Sequence, residues 1–116
     1  MNRNDNSESI EDSYRVLTLF EKENISTQRE AAGHLGFSLG KANYLINALI
    51  SKGFVKLENF FRSDNKLSYR YILTPSGIEA KYKITVEFLK RKEEEYERLQ
   101  SEIDSIKKDL VREVHD

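Results

Sequence analysis

The stretch that decides the fold runs from residue 27 to residue 53 and reads TQREAAGHLGFSLGKANYLINALISKG. Thr27 and Glu30 have the spacing of a capping box, which predicts that a short helix begins at this point. Gly36 is expected to end that helix in the left-handed conformation, and Ser38 to cap a second helix that ends at the last glycine of the stretch. Two capped helices joined by a glycine turn are the layout of a helix-turn-helix.

The second helix is expected to bury one face and to expose the other. Its apolar residues recur at helical spacing and should pack on the first helix. Tyr44 and Asn47 point outward, and they suit a helix in the major groove, because Asn pairs with adenine and Tyr contacts a thymine methyl or a phosphate. DNA recognition is therefore the leading interpretation. The alternative is a helix-turn-helix that serves only as a packing unit and binds no nucleic acid, with this polar face in solvent. The predicted inward set is Ala42, Leu45, Ile46 and Leu49, and the outward set is Gly40, Tyr44, Asn47 and Ser51, flanked by Lys41 and Asn43.

The residues after this stretch predict a β-hairpin. Two β-rich runs, at 54–61 and 67–73, flank the polar turn RSDNK. A hairpin that directly follows a recognition helix is a wing, and the cations Arg62, Lys66 and Arg70 would reach a phosphate or a narrow minor groove. The alternative is a charged tip that only keeps a small sheet soluble.

The charge distribution agrees with a DNA surface in the middle of the chain. The whole chain has a formal net charge of -1. Residues 1–25 contain 3 basic and 6 acidic groups, residues 26–75 contain 7 and 3, and residues 76–116 contain 9 and 11. Only the helix-turn-helix and the hairpin therefore have a positive excess, which would confine a phosphate backbone to that surface.

Helices are expected on both sides of this unit. Residues 1–9 have no apolar pattern and are expected to form a disordered tail, whereas Ile10 to Lys22 predict a helix that covers the core. Thr74 and Pro75 are the expected N-cap and first residue of a helix that runs to about Val114. The fold class is therefore mainly α with a small β-hairpin: a winged helix-turn-helix at 10–75, followed by one long coiled-coil-like dimerisation helix at 76–116.

This long helix has a heptad stripe that so small a core cannot cover. We expect residues 78–89 to pack largely on the winged domain, and residues 96–110 to pair with the same helix of a second molecule. The direction of pairing stays open: the two helices could run parallel, with Glu102 facing Lys107 of the partner subunit, or antiparallel. The alternative to a dimer is a monomer with a frayed helix. Two copies would read a pseudo-palindromic operator. The expected dimer interface is Leu89, Tyr96, Leu99, Ile103, Ile106 and Leu110.

A family resemblance rests on three runs: SLGKANYLINALISKG at 38–53, NKLSY at 65–69 and LTPSGIE at 73–79. They resemble the MarR-type winged-helix regulators, specifically the small subgroup associated with bacterial exopolysaccharide gene clusters. The resemblance implies a transcriptional regulator near polysaccharide biosynthesis genes. Larger members hold phenolic ligands in a crevice beside a dimer domain built from both chain ends. This sequence has a short tail at one end and a single helix at the other, so we do not expect a pocket for a small-molecule effector. The contacts carried over are Ser38, Lys41, Asn43, Tyr44 and Asn47, with Arg62, Lys66 and Arg70 of the wing, and Arg29 completes the DNA-binding set that we expect.

Other functions find little support in the composition. The chain has no cysteine and only two histidines, which lie far apart, so disulfides, zinc ribbons and thiol nucleophiles are excluded. Phosphate-binding glycine loops and nucleophile motifs are missing, and we expect neither an enzyme nor a cofactor or metal. We expect a cytoplasmic protein without a membrane span. The second function that stays open is a protein-interaction module, in which the winged domain is a scaffold and the C-terminal helix recruits a different partner.

Overall fold

Four helices and a two-stranded hairpin make up the computed structural model, which describes residues 3–62, 64 and 66–115. The order of elements is α1 (Arg3–Lys22), α2 (Gln28–Leu35), α3 (Leu39–Ser51), β1 (Val55–Phe61), β2 (Leu67–Leu73) and α4 (Pro75–His115). This is a winged helix-turn-helix followed by one long helix, which confirms the predicted fold class. None of the helices in the described part of the chain is long and apolar enough to cross a membrane.

The helix-turn-helix forms through the local capping that the sequence predicts. Thr27 Oγ1 accepts a hydrogen bond from the Glu30 amide at 3.0 Å. Glu30 Oε1 accepts one from the Ser26 amide at 2.9 Å, one residue earlier than a capping box requires. Gly36 ends α2 with a φ of 70°, and Ser38 caps α3 through its side chain. The two helices are therefore defined by their own sequences before tertiary packing adds to them.

The hydrophobic core lies where α1, α2 and α3 meet the base of the hairpin. Phe20 of α1 stacks on Tyr71 of β2 with ring centroids 5.0 Å apart. Burial raises the pKa of the Tyr71 phenol above its ordinary range, and a hydrogen bond with the Gln28 side chain offsets part of that rise. Removal of this apolar surface from water is the main force that holds the winged domain together. The largest fully buried side chains are Leu17, Ile25, Ile46, Val16 and Val55.

The wing joins α4 through a tight turn around Thr74. The Thr74 hydroxyl accepts a hydrogen bond from the Gly77 amide at 3.0 Å and donates one to the Gly53 carbonyl. The Thr74 amide donates to the Phe54 carbonyl at 3.0 Å. A Cβ atom on Gly77 would lie only 1.9 Å from the Phe54 carbonyl oxygen, so the turn has room only for glycine. The end of α3, the base of the hairpin and the start of α4 are thereby fixed to one another.

The first helix begins earlier than the sequence predicts. It starts at Arg3, so residues 3–9 of the expected disordered tail are helical, while residues 1–2 lie outside the described residues. Once a helix is formed, each further residue adds one backbone hydrogen bond at little additional cost. The tail was predicted from its lack of an apolar pattern, and that criterion does not detect such an extension.

One face of α4 packs on the winged domain. Ile84 contacts the core, and the Phe88 ring lies 4.9 Å from the Tyr14 ring of α1, measured between centroids. The Lys81 ammonium forms an ion pair with Glu21 of α1. These residues recur three or four positions apart, which is the spacing of a single helix face.

The opposite face of the same segment remains in solvent. The prediction that residues 78–89 pack largely on the winged domain is therefore wrong for this face, because α1 contacts α4 from one side only. The exposed fractions are 56% for Ile78, 71% for Tyr82, 53% for Val86 and 58% for Leu89.

Candidate nucleic-acid interface

The outer side of α3 is open, as the sequence predicts. Ala42 and Ile46 are completely buried, whereas Tyr44 is 75% exposed and Asn47 is also exposed. Gln28 of α2 donates a hydrogen bond from its Nε2 to Asn47 Oδ1 at 3.2 Å. Because this bond uses only the oxygen of the Asn47 amide, its NH2 group can still donate to a base edge.

Lys41, near the start of α3, is held by α1. Its Nζ lies 3.1 Å from Asp12 Oδ2 and 4.3 Å from the centroid of the Phe37 ring. Arg15 covers the same ring at 4.8 Å and donates to the Leu35 carbonyl at 2.6 Å. A DNA phosphate that approached Lys41 would therefore compete with a carboxylate that already pairs with it.

The other helix residues expected at DNA differ in accessibility. Arg29 and Ser38 are exposed, and the Ser38 oxygen accepts a hydrogen bond from the Lys41 amide at 3.1 Å. The Ser38 hydroxyl can still donate to a phosphate. Asn43 is half-buried, and its Oδ1 is a buried acceptor without a hydrogen-bond partner in the part of the chain that the structure describes. Asn43 is thus less available than Asn47.

The tip of the wing presents two exposed cations, Arg62 and Lys66. The strands β1 and β2 pair antiparallel over seven residues each, and the Arg62 amide donates to the Lys66 carbonyl at 2.9 Å across the end of the hairpin. The Arg62 guanidinium is 3.6 Å from Asp64 Oδ2, with both side chains about half exposed. A surface pair of this kind is weak and would yield readily to a phosphate. Positions 63 and 65 of the predicted turn lie outside the described residues.

Arg70 braces the hairpin instead of reaching freely into solvent. Its guanidinium lies 3.3 Å from Asn24 Oδ1, 3.6 Å from Glu58 Oε2 and 5.0 Å from the centroid of the Phe60 ring. The side chain is 37% exposed. A DNA contact by Arg70 stays a prediction, and it would require several of these contacts to be given up.

Sequence reasoning missed the residues that support the site from a distance. Asp12 and Arg15 of α1 fix the start of α3, and Gln28 orients Asn47. Each of them acts on a residue far away in the sequence, and no local pattern marks such a pairing.

Comparison with known proteins supports this view of the fold. Residues 13–56 match the family described as winged helix-turn-helix DNA-binding. No curated protein sequence matches the chain. Among solved structures, the PcaV transcriptional regulator from Streptomyces coelicolor, in complex with its natural ligand, aligns at 19% identity with a TM-score of 0.58 and covers 90% of this chain and 73% of that one.

A MarR/EmrR family transcriptional regulator from Acinetobacter sp. ADP1 aligns at 18% identity with a TM-score of 0.53, covering 89% of this chain and 74% of that one. A shorter overlap with PadR of Bacillus subtilis in complex with operator DNA covers 61% of this chain and 44% of that one, at 19% identity and a TM-score of 0.46, and is too partial to define the fold. The chain therefore contains a winged helix-turn-helix, and its overall fold is the one found in PcaV and in the MarR/EmrR family regulator.

Proposed function

We propose that this chain is a sequence-specific DNA-binding transcriptional regulator that acts as a homodimer on a pseudo-palindromic operator. The observation that carries the proposal is the open outer face of α3, where Tyr44 is 75% exposed and Asn47 is oriented by Gln28. The match of residues 13–56 to a DNA-binding family and the likeness to transcription regulators support it. The resemblance noted in the sequence extends the proposal to operators near exopolysaccharide genes.

Specificity is assigned to the amide of Asn47. An Asn side chain recognises adenine by accepting from N6 and donating to N7, which requires both ends of the amide. The oxygen of Asn47 has a second lone pair, so it can accept from adenine while it keeps the bond to Gln28. Tyr44, one turn earlier, is assigned to an adjacent thymine methyl or phosphate. Arg29, Ser38, Arg62 and Lys66 are assigned to the DNA backbone, where contacts set position without reading sequence.

The homodimer is assigned to the apolar stripe of α4. All residues of α4 from 92 to 114 are exposed, although five of them form a regular apolar seam. A long exposed helix with such a seam is marginal in water unless a second helix covers it. Two linked winged domains would also read twice as many base pairs as one. The exposed fractions are 66% for Tyr96, 53% for Leu99, 43% for Ile103, 59% for Ile106 and 62% for Leu110.

The proposal is tested by selecting duplexes from genomic fragments and measuring affinity at several salt concentrations. A specific duplex should remain bound at physiological salt, with affinity that falls steeply as salt rises. Asn47→Ala should weaken that duplex by roughly 5- to 150-fold, the equivalent of about 1–3 kcal/mol, and relax one base position. Lys66→Ala is the matched contrast, because it should weaken all duplexes alike. If no duplex survives physiological salt, or if Asn47→Ala leaves specificity unchanged, the assignment is wrong.

A further inference from the structure

We infer that α4 pairs in parallel with α4 of a second copy, in a two-stranded coiled coil over residues 96–110 that holds both winged domains at the same end. The inference rests on the proposed homodimer and adds its direction. Tyr96, Ile103 and Leu110 occupy one core position of the heptad, and Leu99 and Ile106 the other. In the single chain, this seam is exposed along its whole length.

The seam is also free of the winged domain. The α4 face that packs on α1 includes Ile84 and Phe88, which lie upstream of residue 92. From residue 92 to residue 114 every side chain is exposed, so nothing in the described part of the chain covers either side of the seam. A second helix can therefore approach it along two full heptads.

The charges beside the seam decide the direction. The residues on one side are all acidic, and we call them the acidic row: Glu95, Glu102 and Asp109. The residues on the other side, the mixed row, are Gln100, Lys107 and Val114. In an antiparallel pair, each row faces the same row of the partner helix. The acidic row of one chain would therefore lie against the acidic row of the other in any register that overlaps these heptads. In a parallel pair the acidic row faces the mixed row.

Parallel pairing brings opposite charges together at one layer. Glu102 faces Lys107 of the partner subunit, and twofold symmetry repeats this pair on the other side. Neither Glu102 nor Lys107 has an ion-pair partner within the described part of its own chain, so both are available. The remaining pairs join Glu95 to Gln100 and Asp109 to Val114, and neither of these repels. Charge complementarity thus favours the parallel direction.

Lys92 marks the upstream end of the coil. It occupies a core position, where it would meet Lys92 of the partner subunit in a parallel pair. Its ammonium is drawn to one side, 3.3 Å from Glu95 Oε2 and 5.5 Å from the centroid of the Phe88 ring. The two helices are therefore expected to diverge on the N-terminal side of Tyr96. The two winged domains would then lie side by side and face neighbouring half-sites of the operator.

Single cysteines test the direction, because the chain has no cysteine of its own. Leu99→Cys and Ile106→Cys are introduced separately into the full chain, oxidised and analysed on non-reducing gels. In a parallel pair each cysteine faces its own copy, and both variants should form covalent dimers. The two positions are about 10 Å apart along the helix. In any antiparallel pair at least one of them lies about 10 Å or more from its copy, beyond disulfide reach. Ser101→Cys, on the outward side of α4, is the control that should not cross-link.

Cross-linking of only one of the two core variants overturns the parallel direction. Cross-linking of neither, with dimers still present by sedimentation, also overturns the parallel direction, because an antiparallel pair through the same seam can hold both cysteines about 10 Å or more from their copies. Should a cysteine variant lose helicity by circular dichroism, charge reversal supplies the second test: Glu102→Lys and Lys107→Glu should each weaken dimerisation at least several-fold, and the double variant should restore it. DNA binding by the wild-type chain is measured separately, so failure of the proposed function and failure of the parallel direction are distinguishable.

Discussion

Replacing Gly77 with alanine should destabilise the whole protein, although alanine is the better helix former. The new Cβ would lie 1.9 Å from the Phe54 carbonyl oxygen, whereas ordinary contacts begin at 3.4 Å, so the start of α4 and the base of the wing must separate by 1.5 Å (3.4 minus 1.9). Overpacking of this kind costs about 1–3 kcal/mol. The displacement also disturbs the hydrogen bond from the Thr74 amide to Phe54, worth about 1 kcal/mol.

The gain in helix propensity from alanine offsets about 1 kcal/mol of this loss. The net expectation for Gly77→Ala is a free energy of unfolding lowered by about 1–3 kcal/mol, out of the roughly 5–15 kcal/mol of a typical domain. The change is measured by urea unfolding, followed by circular dichroism at one protein concentration, because dimerisation makes stability depend on concentration.

Gly33→Ala is the matched control for this measurement. Gly33 also lies within a helix, but an added Cβ there would meet no atom within 4 Å. Alanine at that position should raise stability by about 0.5–1 kcal/mol. The two substitutions are chemically identical and are expected to have opposite signs. If Gly77→Ala unfolds within about 0.5 kcal/mol of wild type, or is as stable as Gly33→Ala, the close approach at Phe54 does not restrict this turn.

Two further variants address DNA affinity and assembly. Asp12→Asn removes the carboxylate that pairs with Lys41, so all duplexes should bind more tightly. In salt titrations, the slope of log affinity against log salt should steepen by about one. An unchanged slope would show that Lys41 does not contact phosphate. Ile103→Asp puts a charge into the exposed seam of α4 and should give monomers by sedimentation, with weaker operator binding, whereas Ser101→Asp should remain dimeric; dimers of Ile103→Asp would place the interface elsewhere.

The sequence predicts the elements of this fold because their signals are local. The caps at Thr27 and Ser38, the glycine at 36 and the Thr74–Pro75 start of α4 each act within one turn of helix, and the structure has helices beginning and ending there. Alternation of β-rich residues likewise predicts both strands of the wing. Such features need no knowledge of the rest of the molecule.

Contacts between distant elements could not be predicted in the same way. Lys41 was expected at DNA from the family resemblance, and Arg70 from its charge and its place on the wing. Neither ground predicts that Asp12 pairs with the first, or that Asn24 and Glu58 hold the second. The exposed face of α4 upstream of residue 92 was also missed. In each case the outcome depends on which faces tertiary packing brings together, and hydrophobic periodicity alone does not specify that.

The continuity of α4 has a geometric consequence. The helix is a single element from Pro75 to His115, so the same rod that begins in the turn at Gly77 also presents the seam. Each residue added between Leu89 and Tyr96 would rotate the winged domain by about 100° around the rod axis and lift it by about 1.5 Å. The orientation of the winged domain relative to the seam therefore depends on the number of residues between them. Insertions or deletions there should preserve this orientation only when they add or remove nearly whole helical turns.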